Sequence, residues 1–496
     1  MKFSLGFVLA VVGGLLAARP ARAHIGSPAV VFDGSAGPYA VRVIILPPPV
    51  IPGRAEINVR LLRDETEAVK VTVLPVNWRA GLSGAPPPDE ATPVPGEPSL
   101  RHAELWLMSS GSYSVHVAVE GARGRGTAIV PVIAAATQRL AMPAGLGVLL
   151  SVLGGLLFVG AVTLVGTGVG ESVLPPGAPL GPAQRRRGYV AVVAAGLVLA
   201  AALYGGMRWW RAVDRDYRSN EIYRPNPLRA TLSGSGASRV LRLSVGRDGP
   251  YGGGRLLLIP DHGKLMHLFM IREPQLDAMA HIHPVRSGPR SFDVAVPPLP
   301  DGRYRLYADI TYETGFAATL TTAVDLTAES GAPPRFAIPP RDPDDSWHIG
   351  NAEAGPADGP HLDLAGTAAW HAGEDVSLDF TVQDRAGRPV EIQPYMGMLG
   401  HAALRRSDGT VFAHLHPVGT ISMAAEEFFT EQSSRETGVA APMDHSQHLR
   451  HGGAGNAVSF PYLFPRSGSY RLWVQTKVAG QVITGVFDLQ VAEPRH

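Results

Sequence analysis

Gly302-Arg303-Tyr304-Arg305-Leu306-Tyr307-Ala308 sets a turn glycine before a tyrosine and then apolar side chains at alternate positions. Alternation with a period of two marks a strand with one buried face. The arrangement recurs at Gly111-Ser112-Tyr113-Ser114-Val115-His116-Val117 and at Gly468-Ser469-Tyr470-Arg471-Leu472-Trp473-Val474. Short alternating segments separated by glycine and proline surround each copy. The three copies place β-domains at residues 24–139, 225–330 and 361–496. Residues 208–224 and 331–360 read as linkers, the second from its Pro, Asp and Gly content.

A tyrosine just inside a turn near a late strand resembles the tyrosine corner of immunoglobulin-like sandwiches. The predicted fold is therefore mostly β: three immunoglobulin-like β-sandwich domains plus a two-helix transmembrane hairpin. The 496 residues leave room for such domains, and 45% hydrophobic with 18% charged residues suffices for packed cores. Net charge is +1, without a basic stripe interleaved with aromatics, so nucleic acid is not expected as a partner. The chain has no cysteine, which excludes disulfides, thiolate metal sites and cysteine nucleophiles.

Two apolar stretches define the hairpin at 140–207. No charge falls between Arg139 and Glu171, or between Arg187 and Arg208. Both gaps reach the roughly 20 residues that a spanning helix needs. The connector carries Arg185, Arg186 and Arg187, which bias it to the cytoplasmic side. Trp209 and Trp210 stand where an interfacial aromatic anchor belongs. Gly147, Ser151 and Gly155, with Ala191 and Ala195, have the small-residue spacing that lets helices approach closely. Neither span contains an ionisable residue for an ion pathway, so the hairpin reads as an anchor. At the N-terminus, Lys2, the apolar run Phe3–Ala18 and Ala21-Arg22-Ala23 form the parts of a signal peptide over residues 1–23. The expected location is the bacterial inner membrane, with the β-domains in the periplasm.

The second and third domains share a histidine pattern. Met266-His267 precedes Ala280-His281-Ile282-His283-Pro284, and His401 precedes Ala413-His414-Leu415-His416-Pro417. The first histidine stands 14 residues before the His-x-His in one copy and 13 in the other, an internal duplication. Side chains at i and i+2 of a strand share a face about 7 Å apart, so two imidazoles can converge on an ion and a neighbouring strand can supply the third. Imidazole suits copper, zinc and nickel. The apolar alternates Ala280, Ile282, Ala413 and Leu415 should face the core, leaving the histidines outward or in a cleft. The competing reading is a histidine that braces a turn before proline.

Met443-Asp444-His445-Ser446-Gln447-His448-Leu449-Arg450-His451, in an insertion of the third domain, is a Met/His segment suited to soft or borderline ions. Met396, Met398 and Met423 lie near the third-domain histidines in sequence, whereas Met266 and Met270 read as core. Cleavage after Ala23 would make His24 the mature N-terminus, able to chelate through its amine and ring, with His102 and His116 as conceivable neighbours. The candidate metal ligands are thus His267, His281, His283, His401, His414, His416, His24, His445, His448, His451 and Met443.

At His24, Met266-His267 and the two His-x-His-Pro strands, the chain resembles periplasmic immunoglobulin-like copper-handling proteins, YtkA-like and CopC-like. The resemblance covers the second and third domains, and the first by architecture. It implies copper, with zinc as the other candidate, bound for buffering or for delivery to a periplasmic or membrane protein. A membrane hairpin between domains departs from the small soluble members. The alternative is a β-sandwich interaction scaffold without metal. An enzyme is disfavoured, since no Ser-His-Asp spacing, phosphate loop or HExxH is present.

Overall fold

The computed structural model describes residues 29–62, 69–172, 174–175, 177–247, 256–327, 336–356, 358–366, 369–438 and 455–495. It resolves into two compact units, one holding the β-domains and one holding residues 135–223.

The β-unit consists of three immunoglobulin-like sandwiches. In the first, Val30–Ala36, Tyr39–Leu46, Gly53–Leu61, Glu97–Leu107 and Thr92–Val94 form one sheet. Lys70–Asn77, Gly111–Gly121 and Gly124–Ala134, with the short Asp89–Glu90, form the other. Their alternating valines and isoleucines (Val43, Ile57, Val73, Val117, Val130) are fully or almost fully buried between them. In the second sandwich, His267–Glu273 lies between Gly302–Tyr312 and Ala278–Ile282. In the third, His401–Arg406 lies between Gly468–Val478 and Phe412–Leu415.

All three signature tyrosines make the corner bond to the residue four positions back. The Tyr304 hydroxyl donates to the Pro300 carbonyl at 2.8 Å, and that of Tyr470 to the Arg466 carbonyl at 2.7 Å. The Tyr113 oxygen accepts from the Ser109 N–H at 3.2 Å. Each bond lets a buried phenol keep a polar partner and is worth about 1 kcal/mol.

The second and third sandwiches pack sheet on sheet. Phe269, Ile271, Leu276, Met279 and Tyr307 of one form a single buried cluster with Ala403, Phe412, Trp473 and Val486 of the other. Tyr307 stacks on Phe412 at 3.9 Å between ring centroids. Arg405, buried in this layer, donates to the Tyr307 hydroxyl at 3.0 Å and pairs with Glu273. The first sandwich joins through its edge: the Asp33 N–H donates to the Val418 carbonyl and the Thr420 N–H to the Val31 carbonyl, both at 2.9 Å. Arg42 links Asp33 at 2.6 Å to Asp375 at 2.8 Å.

Two segments depart from the linker expectation. Within 331–360, Ser346–Ile349 pairs antiparallel with Ala278–Ile282 and so belongs to the second sandwich. Residues 208–221 are not a linker either, because the second long helix and the wider turn that ends it occupy them.

The other unit is a helical hairpin. Helices α1 (Ala144–Glu171) and α2 (Pro182–Asp216) are both long and apolar enough to cross a membrane, and α2 passes into a wider helical turn at Tyr217–Glu221. Arg185, Arg186 and Arg187 lie in the opening turns of α2 rather than in the connector. The close approach is at Gly166, Gly170 and Gly188, where a Cβ on Gly188 would lie 3.1 Å from the Gly166 carbonyl oxygen. Gly155 faces open space, so the spacing read at Gly147, Ser151 and Gly155 is not the helix contact.

Candidate metal centre

Each duplicated histidine is placed by the same local device. In the His267 and His401 strands, Leu268, Met270, Ala402 and Leu404 fill the core of their own sandwich. The intervening residues, His267, Phe269, His401 and Ala403, face the opposite sandwich. Phe269 sits opposite His281 across the ladder, as Ala403 sits opposite His414. Ala280, Ile282, Ala413 and Leu415 turn inward, as the alternation requires. The histidines do leave their own core, but they are not exposed. The facing sandwich covers them: His281 and His401 are 0% accessible, and His267, His283 and His416 are buried as well.

Both clusters therefore meet at one place. The ring of His267 lies 5.4 Å from that of His414, and that of His281 lies 6.1 Å from that of His401. A pseudo-twofold relates the halves. His267, His281 and His283 correspond to His401, His414 and His416, and Asp309 corresponds to Gln475, each paired with the first histidine of its domain.

Hydrogen bonds decide which nitrogen of each ring is free to bind. His267 donates through Nε2 to the Asp261 carbonyl at 3.1 Å, and His281 through Nδ1 to Gln475 Oε1 at 3.0 Å. Gln475 presents its oxygen because its amide nitrogen donates to Ser346 at 2.6 Å. His283 donates through Nδ1 to Asp345 at 3.0 Å. Carbonyl and carboxylate oxygens only accept, so the remaining nitrogens of these three rings carry lone pairs. One ring nitrogen from each of the three lies within 4.8 Å of the others. His267 Nδ1 and His281 Nε2 stand 3.1 Å apart, and the buried His283 Nε2 has no hydrogen-bond partner. Two lone pairs at that distance repel unless a cation lies between them. Two nitrogens bound tetrahedrally at about 2.0 Å stand about 3.3 Å apart.

The third-domain half repeats the scheme. His401 donates through Nε2 to the Tyr395 carbonyl at 3.2 Å, and His416 through Nδ1 to the Ile421 carbonyl at 3.0 Å. His414 Nδ1 lies 3.3 Å from Asp309 of the second domain. His401 Nδ1 and His414 Nε2 then face each other at 3.2 Å. The three residues here whose nitrogens fall within 4.8 Å are His401, His416 and His262. His262, from the second domain, was not among the residues singled out from sequence. It sits on a turn, Asp261-His262-Gly263-Lys264, with φ of 50° at His262 and 77° at Gly263. The signal was available: Tyr395-Met396-Gly397-Met398 is the same turn, equally six residues before the first histidine, with φ of 50° and 81°.

Burial disfavours the charged form of His267, His281, His401 and His414. Desolvation, reinforced by His283, pushes His267 down to about 3. His281, His401 and His414 lie well below the ordinary histidine range, chiefly from burial and then from neighbouring imidazoles. Burial pushes the Asp309 carboxyl up to about 7. Asp261 moves the other way: burial would raise it, but His262, His416 and the Ser422 hydroxyl together hold it low. Its carboxylate also caps helix α3 (Met423–Thr437), accepting from the Ser422 hydroxyl at 2.8 Å and the Ala424 N–H at 3.3 Å.

The other sequence candidates lie elsewhere. His102 pairs with Asn58 at 2.9 Å and His116 with Ser114 at 3.1 Å, both within the first sandwich. Met266, Met270 and Met398 are buried, and Met423 opens α3. His24, Met443, His445, His448 and His451 lie outside the described residues.

Residues 355–493, which carry His401, His414 and His416, match a family model described as "Domain of unknown function (DUF8832)". No curated protein matches the chain. Among solved structures, a biofilm associated protein BSP domain is similar at 8% identity and a TM-score of 0.15, covering 99% of this chain and 70% of that one. An E. coli alpha-2-macroglobulin is similar at 9% identity and a TM-score of 0.19, covering 97% of this chain and 24% of that one. Titin domains z1z2, in complex with telethonin, are similar at 13% identity and a TM-score of 0.13, covering 55% of this chain and all of theirs. None of these likenesses carries an argument about function.

Proposed function

We propose that this chain is a membrane-anchored, periplasmic metal-binding protein that holds copper in its histidine cluster, buffering it or delivering it to another protein. The observation that carries the reading is the pair of facing lone-pair nitrogens at 3.1 Å, His267 Nδ1 and His281 Nε2, in a pocket completed by the unpartnered His283 Nε2. A turn-bracing histidine needs one bonded nitrogen. His267 and His281 use one nitrogen that way and turn the other toward each other. The outer bonds to Asp261, Gln475 and Asp345 fix ring and tautomer, as partners of metal-bound histidines do.

Copper is favoured over zinc by the company these histidines keep. Met396 stands on the turn paired with that of His262, and a Met/His run follows at 443–451. Thioether is a soft donor that selects Cu(I). The role fits the YtkA-like and CopC-like resemblance, with α1 and α2 as the anchor in the inner membrane and residues 1–23 as the export signal.

The test is copper titration of the detergent-solubilised full chain against a competing chelator, beside a variant in which His281, His283, His414 and His416 are alanine. Saturable binding in the parent, lost in the variant with its near-ultraviolet circular dichroism retained, is the expected result. A parent that binds neither copper nor zinc would leave the interaction scaffold as the working model.

A further inference from the structure

The two halves of the cluster differ at one ring position. The turns Asp261–Lys264 and Tyr395–Met398 are equivalent in conformation and in spacing from the first histidine, yet one carries His262 and the other Met396. His262 reaches into the third-domain half, its ring 5.1 Å from that of His401 and 5.2 Å from that of His416. The turns lie side by side, since a Cβ on Gly397 would be 3.7 Å from His262 Nδ1. Met396 holds the position on its turn that His262 holds on the other.

Seven imidazoles, His262, His267, His281, His283, His401, His414 and His416, exceed the four donors that zinc or copper ordinarily takes. Each half also has its own facing nitrogen pair, at 3.1 Å and at 3.2 Å, so each half offers a place for an ion of its own. Building on the metal-binding reading above, we propose that the cluster is a two-ion centre with unequal halves. His267, His281 and His283, with Met396 as a soft fourth donor, take Cu(I). His262, His401 and His416 form an all-imidazole set, with His414 beside His401, that takes a divalent ion, Zn(II) or Cu(II). Each ion thereby draws its ligands from both domains.

The experiment uses the full chain in detergent and a pair of matched substitutions, His262→Asn and Met396→Asn. Asn-Gly is a preferred sequence for a turn with positive φ at both central positions, so each variant keeps its backbone while losing its donor. Anaerobic Cu(I) and Zn(II) are titrated separately and then together, and copper X-ray absorption reads sulfur in the Cu(I) coordination shell. The parent is expected to hold one Cu(I) and one Zn(II) per chain, with sulfur bound to copper. His262→Asn should weaken Zn(II) at least tenfold and leave Cu(I) in place. Met396→Asn should do the reverse and remove the sulfur signal. A total of one ion per chain overturns the two-ion centre while leaving metal binding intact. Two ions with no sulfur signal, or with neither variant selective, overturn the unequal halves. A parent that binds no metal removes the metal-binding reading itself.

Discussion

Asp345 touches no lone pair of the cluster, yet it sets what His283 can do. Its carboxylate accepts from both the ring Nδ1 and the backbone N–H of His283, at 3.0 and 2.9 Å, and so holds Nε2 toward His267 and His281. Asp345→Asn keeps the shape and removes the charge-assisted bond. Copper affinity should fall about 10- to 100-fold, the usual cost of losing such an outer partner, with the fold unchanged by circular dichroism. A second residue-scale prediction concerns His116, which belongs to no cluster. Burial pushes it down to about 4, against a weaker opposing pull from Glu436. Its unfolded form titrates near 6.5, so between these values the unfolded chain binds the extra proton, and stability falls as pH drops through that window. His116→Gln should flatten this part of the pH profile of thermal unfolding by up to about 3 kcal/mol, leaving stability above pH 7 nearly unchanged. The buried cluster histidines give the same sign, so the difference between variant and parent isolates His116. At this scale the duplicated pattern made six of the seven ring positions legible. His262 escaped because it repeats as Met396, and a search for repeated histidines passes over a position whose partner is not histidine.

At the scale of elements, period-two alternation and the Gly-x-Tyr turns sufficed for the strands and their corners. The errors fell where a tertiary contact overrides local composition. Ser346–Ile349 follows a Pro- and Asp-rich stretch, yet the Ala278–Ile282 strand offers it an open edge. In the hairpin, small residues occur all along α1, and only packing selects Gly166 and Gly170 over Gly147 and Gly155. The loop that leads from His416 into α3 supplies the element-scale prediction. Gly419, at φ 116°, accepts the edge of the first sandwich so closely that a Cβ would lie 2.0 Å from the Val31 carbonyl oxygen. Gly419→Ala must either strain this backbone or separate the strand, and it should cost at least about 2 kcal/mol. The expected reading is a lower thermal midpoint together with faster amide exchange at Asp33 and Thr420, whose N–H groups cross that junction.

Across the whole β-unit, the second and third sandwiches share one buried layer and one histidine cluster, so their stabilities are linked. Trp473 is wholly buried in that layer with Phe269, Tyr307 and Phe412, and truncating it opens a cavity between the domains rather than inside one. Trp473→Ala should cost about 3–5 kcal/mol and, by loosening the shared layer, split the unfolding of the two sandwiches into separate transitions. Metal acts on the same junction from the other end. An ion that binds only the folded chain adds about 2.7 kcal/mol when its free concentration is a hundred times its dissociation constant. The set His262, His401 and His416 spans both domains, so an ion bound there ties them, whereas one held by His267, His281 and His283 reaches the third domain only through Met396. The discriminating measurement is calorimetry of Trp473→Ala with and without metal. If the cluster bridges the domains, metal should draw their separated transitions back toward one. If each half merely decorates its own sandwich, metal would raise the two midpoints independently and leave them apart.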